Sequence, residues 1–195
     1  MLDQDFNEYA IEGGKPVDID RLKAARMKQE DYERYHRHGV IPCHDVFIKH
    51  SDRILLVKRK AHPAKGHIWP IGGRLQRGVS AEDSLREKAH EESGLYLEKL
   101  RLIGFERTFF KTDPFGHKGG TDTINLVYFA EGNGTLKLND LHEKPLLVTR
   151  EDYLPLRERL HPYVIEYMDM LWSNRDPSLD LSKVLGRQWE VNPPK

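Results

Sequence analysis

The order of elements predicts an α+β domain in which helices pack on a mixed β-sheet. Three observations carry that prediction. Extended runs of β-branched and aromatic residues fill the middle of the chain, one well-capped helix interrupts them at 81–93, and helical periodicity returns only after Thr149. The chain has 195 residues, 38% hydrophobic and 32% charged, enough for one real core and too apolar for a disordered or fibrous protein. No apolar run approaches the roughly 20 residues of a membrane helix. The N-terminus, MLDQDFNEYAIEGGKPVD, is acidic where an export signal is basic and then apolar, so a soluble, cytoplasmic protein is expected. Cys43 is the single cysteine, which excludes an internal disulfide and a cysteine-based zinc site. The 31 Lys+Arg balance 31 Asp+Glu, leaving no cationic excess for nucleic acid or a membrane surface.

Residues 1–38 are expected to form an N-terminal arm and helix. Gly13, Gly14 and Pro16 mark the arm, Asp18 or Asp20 can cap a helix through ARMKQEDYERYH, and Gly39 ends it. Residues 39–173 form the main domain, starting with VIPCHDVFI and RILLVKR, a hairpin across His50-Ser51-Asp52. The Gly/Pro-punctuated AHPAKGHIWPIGG then leads to Ser80, whose hydroxyl can cap SAEDSLREKAHEES, with Asp83 completing a capping box and Gly94 the stop. Further strands are expected in LEKLRLIGFERTFF, TINLVYFAEG and TLKL, with a Gly-rich, His-containing loop between the first two. Thr149 can cap REDYLPLRERL, and His161-Pro162 can open PYVIEYMDMLW. Residues 174–195 form a polar C-terminal tail.

Chemistry concentrates in IGGRLQRGVSAEDSLREKAHEESGLYL. A glycine pair ends a strand, a basic loop follows, and a capped helix presents Glu91 and Glu92 before its glycine stop. Glycine carbonyls and carboxylates on one helix face are oxygen ligands suited to a hard cation such as Mg²⁺, and arginines beside it neutralise phosphates. Taken alone, Glu91 and Glu92 also read as solvated helix residues paired with Lys88. Arg59 on its strand could point to water, and Asp45 could satisfy backbone donors. His117 has no assigned contact. His44, His50, His62, His67 and His90 show no metal spacing.

This segment resembles the Nudix box, G-x5-E-x7-R-E-U-x-E-E-x-G-U, with U a bulky aliphatic residue. Counted from Gly73, the chain keeps Glu91, Glu92, Gly94 and Leu95, but has Val79 for the first Glu and Glu87-Lys88 for Arg-Glu. Counting from Gly72 recovers Arg86, Glu87 and Glu91 but puts His90 at a carboxylate position and Ser93 at the final glycine, so the Gly73 register is preferred. At about 100° per residue, positions 88, 91 and 92 share one arc, while Glu87 lies about 140° from Glu92. Lys88 therefore stands where a typical member places a metal ligand.

Within the family, RILLVKRKAHPAKGHIWPIGGRLQRG is most similar to the leader of the GDP-mannose mannosyl hydrolases, whose box is also degenerate. The resemblance covers about Val40 to Leu95. It implies a Nudix-type α/β/α sandwich with a mixed sheet, and Mg²⁺ (or Mn²⁺) held by the Gly73 carbonyl and Glu92, with Glu91 beside them. It also implies that Arg74 and Arg59 contact the leaving diphosphate, that Asp45 lies near the sugar, and that His142, in the loop NDLHEK, is the base. Leu141 stands where the relatives have a metal-binding Gln, so Asn139, Asp140 or water would be the third ligand; Thr108 and Asn125 stand where they have other contacts.

The implied reaction is attack of water on the anomeric carbon of a nucleoside diphosphate sugar, releasing nucleoside diphosphate and free sugar. A conventional pyrophosphohydrolase of ADP-ribose, a dinucleotide or a nucleoside triphosphate, using Glu87, Glu91 and Glu92, is the second reading. A non-catalytic nucleotide-sugar-binding module, motivated by Val79, Lys88 and Leu141, is the third. The expected partner is a nucleoside diphosphate-linked small molecule, and the N-terminal extension suggests a homodimer.

Overall fold

The computed structural model describes residues 6–24 and 27–173. The tail expected from Asn174 lies outside them. A small hairpin, β1 (Ile11–Glu12) and β2 (Lys15–Pro16), leads to a 3₁₀ turn at Ile19–Leu22 whose cap is Asp18, accepting from the Asp20 N–H. That cap serves the short turn rather than the helix expected of it. Helix α1 (Gln29–His38) instead starts from Lys28 with no side-chain cap and stops at Gly39, whose N–H donates to the Tyr35 carbonyl.

Strands β3 (Ile41–His50) and β4 (Arg53–Arg59) form the expected hairpin, turning through Ser51 and Asp52, both at positive φ. Short β5 (Ile68–Trp69) and β6 (Ile71–Arg74) follow, pairing with β4 and β3. Helix α2 (Ala81–Ser93) is capped by Ser80, which accepts from the Asp83 N–H, and ends on Gly94 in the left-handed conformation at φ 72°. Long β7 (Tyr96–Phe110) and β8 (Thr121–Asn133) pair antiparallel. The sheet is mixed because β3 runs parallel to β8 and antiparallel to its other neighbours.

TLKL is not a strand. Its backbone caps α2 instead: the Lys137 N–H donates to Ser93 O at 2.8 Å and the Asn139 N–H to Glu92 O at 3.1 Å. Those carbonyls lie at the helix end, where they have no partner within the helix. The last strand is β9 (His142–Val148), antiparallel to β4. Helix α3 (Arg150–Leu156) carries a full capping box from Thr149 and Asp152, and α4 (Pro162–Trp172) starts as expected at His161.

Side chains alternate across β3 and so divide the core in two. Val46 and Ile48 pack with Leu85 and Ala89 of α2, while Phe47 packs with Val164, Tyr167 and Met168 of α4. Helices therefore cover both faces of the sheet, which is the expected α/β/α sandwich. All of these side chains are fully buried, each contributing about 1.5–3 kcal/mol where it is large and apolar. Among the described residues, no helix is long and apolar enough to cross a membrane.

Candidate active site

Three chain connections build the site. Pairing of β3 with β6 sets His44 opposite Gly73 and Asp45 opposite Gly72. The turn after β6 launches α2, which carries Lys88 and Glu92, and β9 opens with His142 in register with Arg59 of β4. Asp45, Arg59, Gly73, Arg74, Glu92 and His142 all line one cavity of about 270 Å³. Gly72 permits the close approach of its two strands. A Cβ there would fall inside contact distance of the Asp45 carboxylate and the His44 carbonyl.

Glu92 is 3% exposed, and both its oxygens are engaged. Lys88 Nζ lies 2.9 Å from Oε1, and His142 Nε2 lies 2.9 Å from Oε2. Burial alone would raise the Glu92 pKa; the hydrogen bond from His142 and the Lys88 ammonium outweigh it and hold the carboxyl below its ordinary value. A carboxylate only accepts, so His142 donates from Nε2. Its Nδ1 is buried and has no hydrogen-bond partner among the described residues. His142 is thus the first residue of a strand, buried and oriented by a carboxylate, and not the loop residue expected from NDLHEK.

The two arginines differ from ordinary paired surface cations. Arg59 donates from Nε to the Pro63 carbonyl at 3.1 Å, and the Arg74 guanidinium carbon lies 3.7 Å from the centre of the Tyr32 ring. Neither has a carboxylate within ion-pair distance among the described residues. An anion is the natural complement to both. Asp45 is 5% exposed and accepts from the Tyr163 hydroxyl at 2.7 Å. Burial pushes its carboxyl up to about 6, against the opposing pull of that hydrogen bond and of Arg59. Removal from water likewise pushes the neighbouring Cys43 thiol up to about 12 and the His44 imidazole down to about 4.

The expected carboxylate cluster does not assemble. Glu91 is exposed on α2 and stands outside the cavity, so it does not join Glu92 in a ligand set. Glu87 is exposed and accepts from Gln76. Asn139 spends its side chain on the Leu141 N–H and the Glu91 carbonyl, away from a ligand role.

Several cavity residues went unread in the sequence. Tyr32 and His36 of α1 line the cavity, so the N-terminal extension forms part of its wall. Their spacing of four on a polar helix was the available signal. Trp69 and Phe110 add aromatic surface and stand 5.6 Å apart between ring centres. Thr108 and Asn125, which the resemblance set at contact positions, do line the cavity: Asn125 donates to Thr108 and to the unread Thr123, each at 3.1 Å. His117 acquires a partner after all, His36, with 2.9 Å between Nε2 and Nδ1.

The sequence model of the NUDIX domain matches residues 42–168, more than half of the chain. The chain belongs to the Nudix hydrolase family. It is 30% identical over 117 residues to the ADP-ribose pyrophosphatase of Methanocaldococcus jannaschii, covering 58% of this chain and 65%, just under two thirds, of that protein. It is 26% identical over 147 residues to the low-salt glycan biosynthesis protein Agl8 of Haloferax volcanii, covering 75% of this chain and 91% of that one. A Nudix hydrolase from Nitrosomonas europaea shares the fold, with TM-score 0.57 and 15% identity over 73% of this chain and 95% of that chain.

Nudix hydrolases generally use divalent metals such as Mg²⁺. The donors of this Nudix chain do not fit such an ion as they are arranged. Among the described residues no three His, Cys, Asp or Glu side chains converge, and of the two carboxylates lining the cavity Glu92 has Lys88 on Oε1 and His142 on Oε2, while Asp45 is buried and accepts from Tyr163. Mg²⁺ binds through one or two carboxylates with near-ideal octahedral geometry at about 2.0–2.1 Å, and the Lys88 ammonium already stands at Oε1 of Glu92.

Proposed function

We propose that this chain hydrolyses a nucleoside diphosphate sugar, releasing nucleoside diphosphate and free sugar by attack of water at the anomeric carbon. One observation carries the reading: Arg59 and Arg74, without carboxylate partners, share a cavity with a buried His142 whose tautomer is set by Glu92. With its proton on Nε2, His142 keeps the Nδ1 lone pair for a proton from water. A base of this kind is typically worth about 10²–10⁴-fold. Arg59 and Arg74 take up the charge that builds on the departing diphosphate, and fixed charges in a dry site need no reorganisation as it develops. Asp45 and its Tyr163 partner are assigned to the sugar end. The lack of a carboxylate cluster among the described residues disfavours attack on phosphorus, where a metal clamp would hold attacking and leaving oxygens together.

The glycan-biosynthesis name of one relative supports a sugar substrate. The name of another, ADP-ribose pyrophosphatase, favours a second reading in which the same cavity takes ADP-ribose and water attacks phosphorus. Turnover of a nucleotide-sugar panel with ADP-ribose in ¹⁸O-labelled water decides between them. Label on the free sugar, with unlabelled nucleoside diphosphate, is expected; label on a phosphate would replace this reading by the second.

A cytoplasmic location belongs to the same proposal. A homodimer built on the N-terminal arm is part of the same proposal, supported by the exposed Tyr9, Ile11 and Ile19 of that arm. A monomer in sedimentation at micromolar concentration would remove it.

A further inference from the structure

The ion pair between Lys88 and Glu92 is not an ordinary surface pair. A lysine four residues before a glutamate is the less favourable order for a helix, so the helix itself offers little reason to hold it. Its side chains are 27% and 4% exposed, and both line the cavity that holds Arg59 and Arg74. The lysine stem runs against Gly73. A Cβ on Gly73 would meet Lys88 Cε at 2.9 Å, so the glycine leaves room for the stem beside its own carbonyl. An ammonium has three donors, and the contact with Glu92 uses one of them.

We propose that the Lys88 ammonium is the resident cation of this site. It takes the position of a carboxylate-bound metal and binds a diphosphate oxygen together with Arg59 and Arg74, without a divalent ion. The ligand class rests on the hydrolase reading above; the claim that Lys88 excludes the ion does not. Lys88, Arg59 and Arg74 face the cavity as three cations, against Glu92 and a carboxyl at Asp45 that is buried under Tyr163. The cations outnumber the carboxylates by one, so the cavity carries a net positive charge that attracts a diphosphate anion. Glu92 then has two tasks in place of ligation: it holds Lys88 with one oxygen and orients His142 with the other. A Mg²⁺ ion on Oε1 would have to expel the ammonium and leave it beside a divalent cation.

The geometry also says what would convert the site. Lys88→Glu would set a carboxylate one helical turn before Glu92, on the same face and beside the Gly73 carbonyl, and remove the competing charge.

The test uses the full chain, with Mn²⁺ uptake read from the electron paramagnetic resonance of the free ion. Binding of GDP-mannose and of ADP-ribose is read by calorimetry, with Mg²⁺ or with excess EDTA. The wild type is expected to take up no stoichiometric Mn²⁺ and to bind a probe equally well in both media. Lys88→Met should weaken that binding about tenfold or more, as expected when one partner of a close charge pair is removed. Lys88→Glu should take up Mn²⁺ and bind the probe only with metal present. Stoichiometric Mn²⁺ uptake by the wild type that Glu92→Gln abolishes would overturn the proposal, as would loss of probe binding in EDTA. If neither probe binds in any medium, the hydrolase reading of the ligand falls, while Mn²⁺ uptake by the wild type still decides the role of Lys88.

Discussion

The guanidinium carbon of Arg74 lies 3.7 Å from the centre of the Tyr32 ring, which ties the N-terminal helix to an arginine that lines the cavity. Tyr32 also meets Phe115 edge-on at 5.1 Å, so the ring bridges α1, β6 and the loop before β8. A cation–π contact at a partly exposed site is worth about 0.5–1 kcal/mol. Tyr32→Ala should therefore loosen α1 and speed amide exchange across residues 29–38 by roughly two- to fivefold, and Tyr32→Phe should not. Hydrogen exchange followed by mass spectrometry checks this. Equal exchange in both variants would show that the ring does not dock the helix.

Asp45 makes stability fall as pH rises over a defined window. Its carboxyl is fully buried and pushed from 3.8 up to about 6, so between those values the folded chain holds a proton that the unfolded chain has released. A raised acid stabilises the fold below its unfolded value, and that contribution is lost as pH rises through the folded one. A rise of this size corresponds to about 3 kcal/mol. Asp45→Asn keeps an acceptor for the Tyr163 hydroxyl but has no proton to lose. The stability of Asp45→Asn relative to wild type should thus grow by about 3 kcal/mol from about pH 4 to about pH 7. Glu92 is held below its ordinary value and acts in the opposite sense, but it is present in both proteins and cancels. Urea unfolding at a series of pH values measures the difference, and a flat one would show that Asp45 stays charged in the fold.

Local signals in the sequence were the ones the fold obeyed. Ser51-Asp52, Ser80, Gly94, Thr149 and His161-Pro162 each act through the backbone of their own neighbours, and each marks the boundary it was expected to mark. TLKL has the composition of a strand, yet the N–H of Lys137 and that of Asn139 just after it are claimed by the open carbonyls at the end of α2. The strand falls instead on HEKPLLV, where Pro145 obscures the pattern and pairing with β4 supplies the stability. For the site, the Gly-Gly-Arg leader and Glu92 were visible because spacing on a strand and helix fixes them. Tyr32 and the Tyr163 hydroxyl on Asp45 were not, because each comes from a part of the chain distant from that leader. The box spacing placed Lys88 at a ligand position and the helical spacing allowed its pairing with Glu92, but only the fold shows that pair set in the cavity wall.

His36 makes the docking of α1 sensitive to acid. The Gly119 N–H donates to His117 Nδ1 at 3.0 Å, so His117 carries its proton on Nε2 and donates to His36 Nδ1 at 2.9 Å. His36 Nε2 then donates to the Thr121 hydroxyl at 3.3 Å, which donates to the Thr112 carbonyl at 2.7 Å. The link from His117 requires a neutral His36, because a protonated ring has no lone pair on Nδ1 to accept it. Burial lowers its pKa below 6.5, and the neighbouring His117 lowers it further. A base with a depressed folded pKa stabilises the fold above its unfolded value, and that contribution is lost as pH falls below about 6.5. Acid should therefore release α1 from the 111–120 loop while the sheet stays intact. His36→Phe keeps an aromatic ring against Tyr32 and Phe115 but has no proton to gain. Amide exchange of residues 29–38, corrected for intrinsic rates, should rise between about pH 7 and about pH 5 in the wild type and stay level in His36→Phe. The same acid response in both would place the titrating group elsewhere.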